Sequence, residues 1–238
     1  MLTNQLIVIH HGPIMHIYFL QHASHFGPAR LADWLTSMGH SFNVCRLYAD
    51  EVPPRLGDFD ALIVLGGPEQ IIHHSWARRE QHLIERTLKS SKPIMGLGYG
   101  AELMAAALGA IVSPNTHGEF GWQPVHGNVE GDLDMPERFD AFLWHRRIFG
   151  LPEGAISIGA SEASPLQGFT WDGARVVAMH CHLEATQDWV RELIEREAQS
   201  LATPGPWIQS RDEMLDDSRR FARLAAVLDR VMIDWLRL

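Results

Sequence analysis

Apolar runs of strand length alternate with segments of helical period through the first hundred residues, and that alternation leaves few folds open. "MHIYFLQH" (15–22), "SFNVCRLY" (41–48), "DALIVLGG" (60–67) and "KPIMGLG" (92–98) read as strands. Between them, "GPARLADWLTSMG" (27–39) and "SWARREQHLIERTLKSS" (75–91) carry apolar residues at helical spacing. Strands that are continuously apolar are buried on both faces, so the expectation is a parallel sheet with helices on each side. In such sheets, sites gather at the carboxyl ends of the strands.

From about residue 111 to 175 the pattern changes. Short pieces such as "GWQPV", "AISIGAS" and "LQGFTW" are separated by Gly, Pro, Asn and Asp, which suggests antiparallel additions to the sheet. "ARVVAMHCHLE" (174–184) reads as a further strand leading into a helix over 185–200. After a "TPGP" break at 203–206, the tail 207–238 has one or two helical stretches. The expected division is an N-terminal extension over 1–14, either an added strand or a tail without fixed structure, and a domain over 15–200. A helical extension over 201–238 is expected to pack on that domain.

Charge and cysteine content narrow the function classes. Twenty Lys and Arg against 29 Asp and Glu give a net charge of −9, with no Lys/Arg-rich run to offset it. A nucleic-acid or anionic-membrane partner is therefore not expected. Two cysteines, Cys45 and Cys181, make no disulfide framework. The apolar segment 93–112 contains four glycines, three of them in its first half, and Glu102 near its centre, which argues against a membrane span. The start of the chain lacks the basic region and cleavage site of a signal peptide, and a cytoplasmic location is expected.

The chemistry turns on "GLGYGA", a glycine-rich turn between a strand and a helix. As Gly96-x-Gly98-x-x-Ala101 it matches a dinucleotide-binding fingerprint, but it follows the fourth strand rather than the first and lacks an acidic residue closing the next strand. As Gly96-x-Gly98-x-Gly100 it is a nucleophile elbow, with Tyr99 offering a backbone N–H to an oxyanion hole and Gly67 of "GGP" offering the second. His182 and Glu184, two apart at a strand's end, supply a base and the residue that orients it. The tip of the elbow, Gly98, has no side chain.

These motifs resemble, in order and spacing, those of class I glutamine amidotransferase domains of the stand-alone kind related to the glutaminase part of GMP synthase. The resemblance covers about residues 15–195. "LGGPEQ" is similar to the family's G-G-P loop, and "PIMGLGYGAELMAAALGA" to its cysteine-bearing elbow. "GEFGWQPV" and "FLWHRRIFGLP" are similar to its E-x-G-W and W-H-x-D segments, "SEASPLQGF" to the stretch before the last strand, and "MHCHLE" to its closing H-P-E. The implied fold is α/β, a flavodoxin-like three-layer sandwich with a mostly parallel central sheet. The implied reaction is attack of a cysteine thiolate on the glutamine side-chain amide, with a glutamyl thioester and release of ammonia. The implied substrate-side residues are Glu102, Glu119, Trp144, His145 and Arg147.

Four positions depart from the pattern. Gly98 stands in the cysteine slot, Glu102 replaces the Gln of G-x-Q, Arg147 replaces the acid of W-H-x-D, and Leu183 replaces the proline of H-P-E. The first removes the route to a thioester. Arg147 reverses a charge beside a pocket built for a zwitterion, and a compensating Glu102–Arg147 pair is one reading of the two changes.

The expectation is an amidotransferase-like protein without glutaminase activity that keeps a ligand-binding or regulatory pocket for a small, glutamine-like molecule. One alternative is a hydrolase or transferase in which His182 and Glu184 activate water or an acceptor lodged in the hole at Gly98. Another is dinucleotide binding through the glycine motif. No cofactor is expected. A metal held by His180, His182 and Glu184 is weighed against a relic dyad, which explains two of the three already. Cys181, Cys45 and the aromatic residues, including Trp235, read as core, and Tyr99 as a poor nucleophile. A homo-oligomer or a synthetase partner fits the resemblance.

Overall fold

A computed structural model describes residues 13–68 and 74–237. Its sheet has nine strands: β1 His16–Gln21, β2 Ser41–Arg46, β3 Ala61–Val64, β4 Ile94–Leu97, β5 Val112–Gly127, β6 Arg138–Phe149, β7 Ile156–Ala160, β8 Gly168–Trp171 and β9 Val176–Met179. Their order is β2-β1-β3-β4-β9-β8-β7-β5-β6. The ladders from β2 to β9 are parallel and those from β9 to β6 antiparallel. The expected parallel centre is thus present, with its antiparallel additions on one side. β3, β4 and β9 are buried at every position, as their unbroken apolar sequences require.

Among the described residues six α-helices accompany the sheet: α1 Arg30–Ser37, α2 Ala77–Leu88, α3 Tyr99–Ala107, α4 Gln187–Arg196, α5 Arg211–Leu215 and α6 Arg219–Leu236. Buried residues fall into two clusters, one on each side of the sheet. Phe19, Ile63 and Val177 pack with α1, α4 and α6, and Leu20, Val64 and Phe169 pack with α2 and α3. This is the three-layer arrangement. α6 is amphipathic and buries Phe221, Leu224, Val231 and Trp235 in the first cluster. Phe221 packs edge-on against Trp122 at 4.9 Å. Among the described residues no helix is long and apolar enough to cross a membrane. The N-terminal residues 1–12 lie outside the described residues, as do Glu69 and Gln70 of the "GGPEQ" loop.

Two sequence-based boundaries need correction. The stretch read as short pieces around "GWQPV" is part of a long hairpin, with β5 spanning 16 residues against 12 in β6, interrupted by a register shift between Pro114 and Glu119. The strand read over 174–184 stops at Met179. Its partner β4 turns into the elbow at Gly98, so the ladder ends at Leu97–Met179 and the chain beyond is free to curl.

Candidate functional site

Three adjacent strands deliver the site. The chain leaves β3 into Gly66 and Gly67, β4 into Gly98, and β9 into residues 180–184, all at the carboxyl ends of the parallel ladders. Gly98 has φ 51° and ψ −116°, a positive-φ conformation that a side chain makes costly. Its N–H donates to the Met179 carbonyl at 2.9 Å, and its own carbonyl accepts from the Ala101 N–H at 3.0 Å as α3 begins. Gly100 lets that helix sit on β3, since a Cβ there would lie 2.1 Å from the Val64 carbonyl oxygen.

The space at the elbow tip is filled. A Cβ on Gly98 would lie 2.9 Å from His182 Cε1 and 3.0 Å from Nε2, and one on Gly66 would lie 2.8 Å from the same Cε1. The edge of the imidazole therefore occupies a cleft between two glycines. His182 Nδ1–H donates to Glu184 Oε1 at 2.8 Å, and the ring packs among Phe26 and Trp189. The dyad expected at a strand's end forms instead on a turn past β9, closed by the Ala185 N–H donating to the His182 carbonyl at 3.2 Å. Both residues are 1% exposed. A methyl group at Gly98, where an acceptor was expected to lodge, would fit only if the His182 ring shifted.

Next to the elbow lies a cavity of about 270 Å³. Of the predicted residues, Gly67, Tyr99, Glu102, Trp144, His145 and Arg147 line it, whereas Gly98, Glu119, His182 and Glu184 do not. Its other wall is apolar, from Leu103, Ala106 and Val112. Arg147 Nε lies 2.9 Å from Glu102 Oε2, an ion pair by distance although the N–H is not aligned for a hydrogen bond. The two charged departures from the family pattern thus compensate each other across α3 and β6. In a double-mutant cycle of Glu102→Ala and Arg147→Ala, followed by urea denaturation, we expect a coupling of about 0.5–3 kcal/mol; strict additivity would show the pair to be incidental.

Glu119 serves the structure from behind. It is fully buried on β5 and accepts from Ser161 Oγ and Ser164 Oγ, both at 2.6 Å, and from Gln167 Nε2 at 2.8 Å. His145 Nε2 faces it at 3.3 Å, while His145 Nδ1–H donates to the Arg147 carbonyl at 2.9 Å. Burial pushes the Glu119 carboxyl upward, but His145 and the hydroxyl donors outweigh it and hold the group below its ordinary value. Glu119 thereby fixes the ring of a cavity-lining residue.

His180 is sandwiched between His145 and Phe149, with ring centroids 4.0 and 4.4 Å away, and both its nitrogens are buried without hydrogen-bond partners. Burial, then the neighbouring His145 and His182, push its pKa well below the ordinary value, so the ring is neutral. Among the described residues no group of three His, Cys, Asp or Glu is placed to hold a metal. Neither cysteine substitutes for the missing nucleophile. Burial pushes the Cys45 thiol up to about 11, with Glu51 and Glu80 adding to the shift. Burial raises Cys181 further, in the core beside Met179 and Leu183. Burial, Glu80 and Glu102 likewise raise the Tyr99 phenol. In the dinucleotide-like motif, the Cβ position of Gly96 is closed by Met104 and Gly100, so that glycine serves helix–strand packing.

One feature escaped the sequence reading. His22, just past β1, directs Nδ1–H to the Gly66 carbonyl at 3.0 Å and Nε2 to Glu80 Oε1 at 2.6 Å, both side chains buried. Tyr99 meets the His22 ring edge-to-face at 5.0 Å, and Glu80 lines the cavity. A second His–Glu pair therefore braces the Gly66–Gly67 loop. Its only sequence signals are a polar residue closing an apolar strand and an acid on the inward face of α2.

The model of the class-I glutamine amidotransferase family matches residues 29–197. A glutamine amidotransferase-like protein of Salmonella typhimurium, YfeJ, is 31% identical over 201 residues, covering 79% of this chain and 83% of that protein. The glutamine-hydrolyzing GMP synthase of Alkalilimnicola ehrlichii is 28% identical over 194 residues, which cover 74% of this chain but 36% of the synthase, so the chain spans about a third of that relative. Among solved structures, a glutamine amidotransferase from Methylobacillus flagellatus superposes with a TM-score of 0.87 at 26% identity, over 94% of this chain and 95% of that one. A Thermotoga maritima glutamine amidotransferase shares the fold with a TM-score of 0.85 at 22% identity, over 95% of this chain and all of that one. With an elbow, a G-G-P loop and a His–Glu dyad at the ends of adjacent strands, the chain belongs to the class-I glutamine amidotransferase family.

Proposed function

We propose that this chain is an amidotransferase-like protein without glutaminase activity, whose cavity beside the elbow binds a small ligand. The observation that carries the reading is Gly98 in the nucleophile's place, with the His182 ring edge within 3.0 Å of where a Cβ would lie. Removing the nucleophile of a catalytic triad costs on the order of a millionfold in turnover. His182 and Glu184 do not line the cavity and are 1% exposed, which disfavours their activating a water or an acceptor there. The cavity carries both signs of charge, Glu102 and Arg147, against an apolar wall, which suits a small zwitterion of glutamine's general kind. In this reading residues 15–200 form the amidotransferase-like domain and α6 belongs to an extension packed against it.

Ammonia release from glutamine tests the catalytic half. The purified protein is expected to stay at the blank rate, and saturable release would overturn the reading. Calorimetric titration with glutamine, glutamate and other amino acids tests the pocket. Binding abolished by Arg147→Glu is expected for at least one of them, and silence across the set counts against a zwitterion site.

A further inference from the structure

A second concavity, of about 360 Å³, lies between the loop 52–56 and the outer face of α2. Arg55 contributes from the loop, and Arg78, Arg79, His82 and Arg86 from the helix, while Val52 and Leu83 supply apolar surface; among the described residues no acidic one lines it. In a chain of net charge −9, a groove whose described lining has four guanidiniums and no carboxylate runs against the overall balance. Arginines on other surface helices, Arg191, Arg211 and Arg220, each close on a carboxylate. Among the described residues, none of the four groove arginines makes an ion pair within 4.0 Å.

The helix dipole adds to the same positive potential. Arg78 and Arg79 occupy the first turn of α2, which begins at Ala77, where the helix dipole disfavours a cation. The acid of that turn, Glu80, does not offset them at the surface, because it is turned inward to His22. An unbalanced cluster at an unfavourable helix end is relieved by an anion from outside.

The spacing selects the kind of anion. Arg78 to Arg86 spans eight residues, about 12 Å of helix at ~1.5 Å per residue. That is a line of charge rather than a convergent cradle for one phosphate. An extended peptide rises ~3.3 Å per residue, so about four residues match the line. Val52, 72% exposed, and the floor at Leu83 offer apolar contact between the charges. We propose that this groove docks an extended acidic segment of a partner protein, with an apolar residue seated between its carboxylates.

Fluorescence anisotropy with a labelled Glu-Leu-Glu-Glu-Leu-Glu peptide tests it on the full chain. Saturable binding that weakens as salt rises is expected, with an affinity loss of about tenfold or more in Arg78→Glu/Arg86→Glu. Arg55→Glu, on the opposite wall, should weaken it independently. All three side chains are exposed, and unchanged thermal unfolding of the variants would confirm that they fold. No binding, equal binding by the variants, or equal binding of the Lys-Leu-Lys-Lys-Leu-Lys counterpart would each overturn the proposal. Displacement by inorganic tripolyphosphate at concentrations well below the peptide's own Kd would overturn it in favour of a small polyanion.

Discussion

Placing a side chain on Gly98 should destabilise the protein and leave it unable to hydrolyse glutamine, even when that side chain is cysteine. The Cβ would meet His182 at 2.9 and 3.0 Å in a backbone with φ 51°. Positive-φ strain costs about 1–3 kcal/mol, and overpacking a filled core a further ~1–3 kcal/mol. Relief by moving the imidazole would break the 2.8 Å bond to Glu184 and disturb its packing on Phe26 and Trp189. We therefore expect both Gly98→Ala and Gly98→Cys to lose about 2–6 kcal/mol in urea denaturation, with ammonia release from the cysteine variant still at the blank rate. Adding His182→Ala to Gly98→Cys should recover part of the stability by clearing the slot, without chemistry, because the base is then gone. A Gly98→Cys protein as stable as the wild type that accumulated a glutamyl thioester would show that the site lacks only its thiol.

Much of this geometry was legible in the sequence because it depends on short-range pattern. The parallel strands announced themselves as unbroken apolar runs, and the elbow as glycines at fixed offsets between a strand and a helix. The Glu102–Arg147 pair was legible as two charge changes at positions the family pattern brings together. What was not legible depends on contacts between distant residues. The β5–β6 hairpin was obscured because Pro114, Gly118, Gly121, Pro124 and Gly127 break the alternation that marks a strand, while the pairing with β6 holds it extended. His22 and Glu80 are 58 residues apart and meet only because β1 and α2 flank the same loop. His182 and Glu184 lie 2.8 Å apart, but their geometry comes from the ladder's end at Leu97–Met179, which the sequence does not mark. The filled slot is likewise a matter of where a ring comes to rest.

Glu119 shows how far a motif position can differ from the role its resemblance implies, and removing it should have a large effect. In the family pattern it reads as a substrate-side residue, yet here its oxygens are engaged by Ser161, Ser164 and Gln167 and faced by His145. Glu119→Ala strands those donors in a buried site, and breaking a buried charged partnership of this kind costs about 3–5 kcal/mol. Glu119→Gln keeps the volume and one acceptor, so it should cost less. The carboxyl is held below its ordinary value of 4.5 in the folded protein, so in acid the unfolded chain binds the extra proton first. Its contribution is therefore complete at neutral pH and is lost as the pH falls below about 4.5 toward the depressed folded value. Urea midpoints measured from pH 7 downward should show wild type and Glu119→Gln converging in that acid window and well separated above it. A gap that stayed constant with pH would mean that the carboxylate's charge contributes nothing, and that Glu119 holds His145 and the cavity wall through shape and neutral hydrogen bonds alone.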